Sequence, residues 1–171
     1  MAKAIVSLAM IVVSLALLVG CGDYSAHKAS FVVEPFSFTQ GDAIANVAPK
    51  VTTLVTERLV GDKSTKVVIS STDADYILSG NLDKVLKSRK TSRKLVTVFA
   101  ELTVTVVLRR ASDSAEVFRR TFVKPYQEEY VVGTVFGEKQ DKVSMHEVET
   151  EAIRLLTLDI HNAIKEYLRS K

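Results

Sequence analysis

Cysteine is almost absent from this chain, whose 171 residues include Cys21 alone. A single thiol excludes an internal disulfide framework, and it excludes zinc sites and redox pairs that need two or more cysteines. Tryptophan is missing altogether, and only three prolines are present. The fold must therefore be stabilised by side-chain packing rather than by covalent cross-links.

Long hydrophobic runs are equally scarce, because only residues 4–18 form one. Lys3 precedes this run and residues 18–21 (LVGC) follow it, an arrangement typical of a secretory signal peptide. The LVGC segment has the form of a lipobox, so we expect residues 1–20 to be a lipoprotein signal peptide and the thiol of Cys21 to be acylated. No later stretch reaches the roughly 18 apolar residues that span a bilayer.

The chain after the signal peptide has the length of one domain. Residues 21–30 are polar and aperiodic after the cysteine, which predicts a lipidated tether. Residues 31–171 suffice for one domain with a substantial core, and they are too few for two. Because two or more acyl chains give a stable anchor, Cys21 would hold this domain at a membrane.

Charge of one sign is not in excess, since 23 lysines and arginines stand against 20 aspartates and glutamates, a formal net charge of +3. Such a balance says little about the partners of the protein. Export would in any case separate the chain from nucleic acid, which we exclude as a partner.

Catalytic motifs are lacking as well. The histidines, His27, His146 and His161, are scattered, and His146 lacks the second histidine that an H-E-x-x-H zinc site has four residues on. There is no G-x-S-x-G nucleophile elbow and no glycine-rich loop before a helix. The sequence predicts a protein that is not an enzyme, without catalytic residues, a metal site or any cofactor beyond the covalent lipid on Cys21.

The first part of the domain combines a strand with a helix. Residues 31–38 have the composition of a strand, in which Pro35 favours a sheet edge or a bulge. Residues 42–61 show the spacing of an amphipathic helix that ends at Gly61. Pro49 either kinks this helix or marks its true first turn. We favour one helix with a disturbed start.

Alternating apolar residues predict the rest of the sheet. Further strands are expected at residues 66–70, 73–86, 95–110 and 116–123. Within the second of these, Leu82 and Leu86 are expected on the buried face and Asp83 and Lys87 on the other. Gly80 indicates a bulge or a close approach of the backbone.

A long helix is predicted to close the chain. Residues 127–143 before it are loop-like, with a brief pairing of residues 130–136 left open. Ser144 and Glu147 have the spacing of a capping box, and an apolar face follows them. The order of elements predicts an α+β fold, a two-layer sandwich in which a small, mainly antiparallel sheet carries two helices on one face. The other face would be free to meet water or a partner.

Positive charge is concentrated in one place, between the strands at 73–86 and 95–110. Six cations fall close together there: Lys84, Lys87, Arg89, Lys90, Arg93 and Lys94. A hairpin loop with this charge suits phosphorylated, anionic ligands, because arginine binds phosphate through two parallel hydrogen bonds and lysine supplies a point charge. Lys139 and Lys142, before the last helix, could join it. The alternative is a solvated hairpin tip, the usual role of such a run.

Several short segments, taken in order, resemble the LPS-assembly lipoprotein family LptE. These are the lipobox cysteine followed by Gly22, Pro35-Phe36 at the end of a strand, residues 74–80 (ADYILSG), residues 115–118 (AEVF) and the C-terminal helix. The resemblance covers nearly all of the chain after the signal peptide, and it depends on order and weak patterns rather than on one specific motif.

The resemblance implies an outer-membrane lipoprotein on the periplasmic side that forms a plug in its partner, the β-barrel LptD. The two together would move lipopolysaccharide to the outer leaflet. By position, the lipopolysaccharide-binding residues would be Lys87, Arg89, Lys90, Arg93 and Lys94, with Lys139 and Lys142 placed less securely. Gly22, rather than aspartate, after the acylated cysteine resembles lipoproteins released to the outer membrane.

A periplasmic regulatory adaptor for a cell-envelope enzyme is the alternative from another class. Adaptor lipoproteins of that kind carry a long disordered tether to cross the periplasm. Here the tether of about nine residues spans at most roughly 30 Å. Its length favours a partner in the membrane that holds the anchor.

Overall fold

The computed structural model describes residues 28–38, 46–92, 95–131 and 144–171. The signal peptide, Cys21 and most of the predicted tether lie outside these ranges. Within them the chain forms six strands, one short 3₁₀ turn and two α-helices. They are β1 (Ala29–Val33), β2 (Ser37–Phe38), α1 (Val47–Gly61), β3 (Thr65–Val67), the 3₁₀ turn (Ser71–Asp73), β4 (Tyr76–Ser92), β5 (Leu95–Arg110), β6 (Glu116–Val131) and α2 (Met145–Arg169).

The strands form one mixed sheet in the order β3-β1-β4-β5-β6, with β2 also beside β4. The long strands β4, β5 and β6 are antiparallel, whereas β1 pairs in parallel with β3 and β4, and β2 pairs in parallel with β4. The predicted α+β fold is confirmed. The parallel pairing at the β3 side was not predicted, and it arises because α1 carries the chain back across the sheet between β1 and β3.

Both helices lie on one face of the sheet and enclose the core. Strand β5 alternates strictly, as predicted, with Val96, Val98, Ala100, Leu102, Val104, Val106 and Leu108 buried. Helix α2 buries the predicted apolar face, and Ser144 and Glu147 form the predicted capping box. The two helices are joined by Arg58, whose Nε donates to Thr157 Oγ1 at 3.1 Å and whose Nη2 donates to the Arg154 carbonyl at 3.1 Å.

The predicted strand over residues 31–38 is interrupted at its proline. Strands β1 and β2 follow the same partner, β4, and the break between them contains Pro35. Phe36 turns into the core at this break, and its ring lies where a Cβ on Gly80 would stand. Gly80 is therefore a site of close approach, one of the two roles predicted for it.

Helix α1 begins at Val47, so Pro49 lies in its first turn. A first-turn amide has no acceptor within the helix, and proline is tolerated there. This agrees with the alternative that we did not favour, in which Pro49 marks the true first turn. The start of the predicted helix, residues 42–45, lies outside the described residues.

A bulge in β4 changes the face that its later residues occupy. The register with β5 shifts between Leu82 and Lys84, so Asp83 is the extra residue. Because successive side chains alternate, one extra residue exchanges the two faces. The prediction was wrong beyond this point. Leu86 lies on the outer face, 41 % exposed, and Lys87 turns toward the helices.

Two segments predicted as loops are strands. Strand β6 continues past the predicted end at Val123 to Val131, and β4 continues past the predicted end at Leu86 to Ser92, whereas β5 begins at Leu95 as predicted. Pro125 sits within β6, where its missing amide is tolerated because β6 is the last strand of the sheet. Most of the basic run therefore lies along β4 rather than in a loop.

Candidate functional site

The basic residues lie toward one end of the sheet, called here the hairpin end, where Ser92, Leu95, Val131 and Ser144 are found. In the β4–β5 register, Lys87 faces Ala100, Arg89 faces Val98 and Lys90 faces Thr97. Ala100 and Val98 point to the helices and Thr97 points away, so Lys87 and Arg89 share the inner face and Lys90 lies on the outer one. The structure thus brings two of these residues together and separates the third.

Lys87 forms an ion pair within the domain. Its ammonium group forms an ion pair with Glu149 in the second turn of α2, and Lys50 of α1 lies 3.6 Å from the same carboxylate. The Glu149 side chain is only 8 % exposed. A buried carboxylate is costly unless compensating charges are close by. The ion pair of Lys87 therefore holds the β4–β5 hairpin against α2. No sequence pattern predicted that Lys87 and Glu149 would be paired.

Arg89 and Lys90 remain available to a ligand. Arg89 is exposed and donates from Nη2 to the Tyr130 hydroxyl at 2.6 Å, which fixes one edge of its guanidinium group. Lys90 is exposed, and no carboxylate among the described residues forms an ion pair with it. Both could contact phosphate without breaking an existing ion pair.

The remaining predicted site residues lie outside the described residues. Arg93 and Lys94 follow Ser92, and Lys139 and Lys142 belong to the segment between Val131 and Ser144. Leu95 pairs with both Ser92 and Val131, so the chain leaves the described part at neighbouring positions. The two basic segments are anchored at the same end of the domain. The acylation predicted for Cys21 also falls outside the described residues.

A second polar cluster, missed in the sequence, lies at the opposite end, called here the tether end, where Ala29, Gly61, Arg110 and Arg169 are found. Its centre is Asp62, directly after α1, with a side chain 8 % exposed. It accepts hydrogen bonds from Lys165 Nζ at 2.8 Å and from the Ser64 amide at 2.9 Å, and His161 Nε2 lies 3.1 Å away. The cluster ties the end of α1 to α2.

The titration behaviour of this cluster follows from its contacts. The hydrogen bond from Lys165, together with those from Ser64, holds the pKa of Asp62 well below its ordinary value. Burial lowers the pKa of His161, and the neighbouring Asp62 carboxylate offsets part of this effect. At neutral pH the cluster therefore contains a charged Asp62 beside a neutral imidazole.

The outer face of the sheet is open among the described residues. It presents the residues of β5 that alternate with the buried ones, and the Thr105 hydroxyl lies 2.9 Å from that of Thr121 and donates to Asp83 at 2.7 Å. Four large apolar side chains are exposed on the same face: Leu86, Leu95, Val123 and Val131. This surface is wide, mostly polar and available for docking.

The described residues contain neither a metal-binding cluster nor a membrane-spanning helix. No group of three or more histidine, cysteine, aspartate or glutamate side chains there could hold a metal ion. Neither α1 nor α2 is long and apolar enough to cross a bilayer.

Comparison with known proteins places the fold. No protein-family model matches the chain, and no curated protein matches it. The hypothetical protein CT253 of Chlamydia trachomatis shares the fold with a TM-score of 0.59 at 8 % identity, over 84 % of this chain and 100 % of that one. Protein XCC0632 of Xanthomonas campestris, of family DUF330, does so with a TM-score of 0.58 at 13 % identity, over 84 % and 89 %.

Solved structures at lower similarity include proteins named as lipoproteins. The minor lipoprotein of Acinetobacter baumannii matches with a TM-score of 0.44 at 16 % identity, over 80 % of this chain and 87 % of that one. Of these structures, only the two with TM-scores above 0.5 bear on the fold, and at 8 % and 13 % identity they establish a common fold and no more. The chain has the fold of CT253 and XCC0632.

Proposed function

We propose that this protein is a lipoprotein of the outer membrane, anchored on the periplasmic side by acyl chains on Cys21, that forms a plug in the LptD β-barrel and assists the transport of lipopolysaccharide to the outer leaflet. In this role it is a binding protein and not an enzyme. The observation that carries the proposal is that Ala29, which follows the predicted tether, lies at the opposite end from Arg89 and Lys90 in a domain with one open sheet face.

The dimensions suit a plug. Strand β5 runs from one end to the other in 16 residues, which corresponds to about 50 Å. Because Ala29 follows the proposed anchor, Cys21, by only eight residues, the tether end of the domain would lie near the periplasmic surface of the membrane. The hairpin end would then enter the barrel lumen, where lipopolysaccharide passes.

The open sheet face suits the wall of such a lumen, because the interior of large outer-membrane barrels is polar. Hydroxyl groups such as those of Thr105 and Thr121 can exchange water for hydrogen bonds to the barrel. Leu86 and Val123 supply exposed apolar contact area on the same face. The helices on the opposite face keep the core closed while the domain is in transit without its partner.

Arg89 and Lys90 are the described cations best suited to lipopolysaccharide phosphates. The proposed site combines them with Arg93 and Lys94, and with Lys139 and Lys142 from the neighbouring segment. Lys87 has a different part in this proposal, since its pairing with Glu149 positions the hairpin instead of binding the ligand.

Purification of the acylated protein from detergent-solubilised envelopes, through a C-terminal tag, tests the proposal. We expect a large β-barrel in stoichiometric amount, with lipopolysaccharide in the same fraction. Recovery of a cell-wall synthase in its place would overturn the plug and support the regulatory adaptor. The Cys21→Ser variant is the matched control, because it lacks the site of acylation and leaves every described contact in place.

A further inference from the structure

The tether end carries a cleft that the proposed function does not use. A cavity of about 370 Å³ is lined by Ala29, Asp62, Lys63, Lys165 and Arg169, among others. A second hollow of about 450 Å³ adjoins it and shares Lys63 and Lys165 with it. Two further basic groups, Arg58 and His161, line the second hollow.

The charge of the cleft is positive because its one carboxylate is already neutralised. Asp62 binds Lys165 at 2.8 Å and accepts hydrogen bonds from Ser64. Lys63 and Arg169 are exposed, and neither forms an ion pair with any carboxylate of the described residues. Glu166 lies in a neighbouring hollow with Arg169 and offsets only part of this charge. Two unpaired cations therefore remain at the mouth of the cleft.

The position of the cleft along the chain is as informative as its charge. Ala29, which lines it, is the first residue of β1 and stands eight residues after Cys21. Even when fully extended, those residues reach at most about 29 Å. The cleft therefore lies close to whatever surface holds the acyl chains, whereas the hairpin end is about 50 Å farther along the sheet.

We propose that this cleft is a membrane-facing surface that binds the phosphate headgroups of anionic lipids in the leaflet that holds the anchor. Its orientation rests on the proposed acylation of Cys21. Lys63 and Arg169 contact the headgroups, and Lys165 supports them from within while it holds Asp62. This contact holds the tether end of the anchored domain at the level of the headgroups, where the proposed plug also places it while the hairpin end enters the barrel.

Vesicle sedimentation with the unacylated mature chain tests the inference. The protein is residues 21–171 with Cys21→Ser, mixed with vesicles of phosphatidylcholine alone or of phosphatidylcholine and phosphatidylglycerol in a three-to-one ratio. We expect binding to the anionic vesicles only. Each cation near an anionic surface contributes about 5-fold in affinity, so Lys63→Gln with Arg169→Gln should weaken binding about 25-fold.

The control variant combines Lys84→Gln with Arg120→Gln, which removes the same charge from positions outside the cleft, opposite Thr103 and Val106. Its binding should remain within about 2-fold of the parent. Equal losses in the two variants would show attraction by net charge alone and would overturn the inference, as would equal binding to both vesicles. Because the protein is unacylated, this result is independent of whether a barrel purifies with the acylated form.

Discussion

Lys87 and Glu149 form an ion pair that joins the middle of a long strand to the second turn of the last helix. Removing Lys87 would leave a carboxylate that is 8 % exposed with only the more distant Lys50 near it. We expect Lys87→Met to lower the free energy of unfolding by about 2 kcal/mol, because an uncompensated buried charge is costly. Urea denaturation of the variant and the parent measures this change in the free energy of unfolding. Lys90→Met, on the exposed face of the same strand, should change the value by less than about 0.5 kcal/mol.

The contact between Gly80 and Phe36 gives a second prediction. A methyl group on Gly80 would overlap the Phe36 ring, so Gly80→Ala should destabilise the fold by about 1–3 kcal/mol. Combination with Phe36→Leu should restore part of the loss, a coupling that a double-mutant cycle detects. Gly61→Ala is the control, because nothing lies within 4 Å of a Cβ there. A loss in that variant as large as at Gly80 would contradict the steric reason.

Acid should destabilise the tether end in two stages. The pKa of His161 is lowered from 6.5 in the fold, so the stability that its neutral form contributes is present above pH 6.5 and is lost as the pH falls through the folded value. The pKa of Asp62 is lowered from 3.8, so its contribution is lost only in stronger acid, below that pH. The free energy of unfolding, measured across this pH range, should lack the first loss in the His161→Gln variant and the second loss in the Asp62→Asn variant. Identical profiles for both variants and the parent would contradict this assignment.

Charge reversal at the hairpin end should weaken the binding of lipopolysaccharide. Hydrogen bonds between charged groups contribute about 1.5–3 kcal/mol, so Arg89→Glu with Arg93→Glu should lower the affinity by at least about 10-fold. The effect should be larger at low salt, since screening is weaker there. Arg119→Glu, at the tether end, is the control for charge. Unchanged binding in the double variant would remove the ligand role and leave the docking of the open sheet face untouched.

The anchor can be tested without reference to any partner. Cys21→Ser should lose incorporation of labelled palmitate and move from the membrane fraction to the soluble periplasm, because acyl chains supply the affinity for the bilayer. Retention of the label would show acylation elsewhere and would exclude the lipobox.

The features that could be predicted are those that depend on neighbouring residues. The alternation in β5 and the capping box of Ser144 and Glu147 are local patterns, and both are confirmed. The bulge at Asp83 escaped prediction because nothing in its immediate sequence marks it, and it transferred Lys87 to the inner face. The contact between Asp62 and His161 joins residues 99 positions apart, and helical periodicity cannot indicate which loop a helix will meet.

The continuation of β6 beyond Val123 was missed for a related reason. Pro125 and the charged residues around it reduce the local preference for a strand. Pairing with β5 along its whole length overrides that preference, with Pro125 opposite Glu101 and Tyr130 opposite Val96. Pairing with β5, rather than the residue types of β6 itself, therefore determines that residues 124–131 form a strand.

The parallel pairing of β1 also sets an order in which the domain can fold. Strands β4, β5 and β6 follow one another along the chain and can pair as soon as each is complete, whereas Phe31 must wait for Tyr76, 45 residues later. Contacts between distant residues form more slowly than local ones. In a chain exported from its N-terminus, β1 would emerge before either of its partners, so the residues that follow the predicted anchor would stay unpaired until β3 and β4 have crossed the membrane.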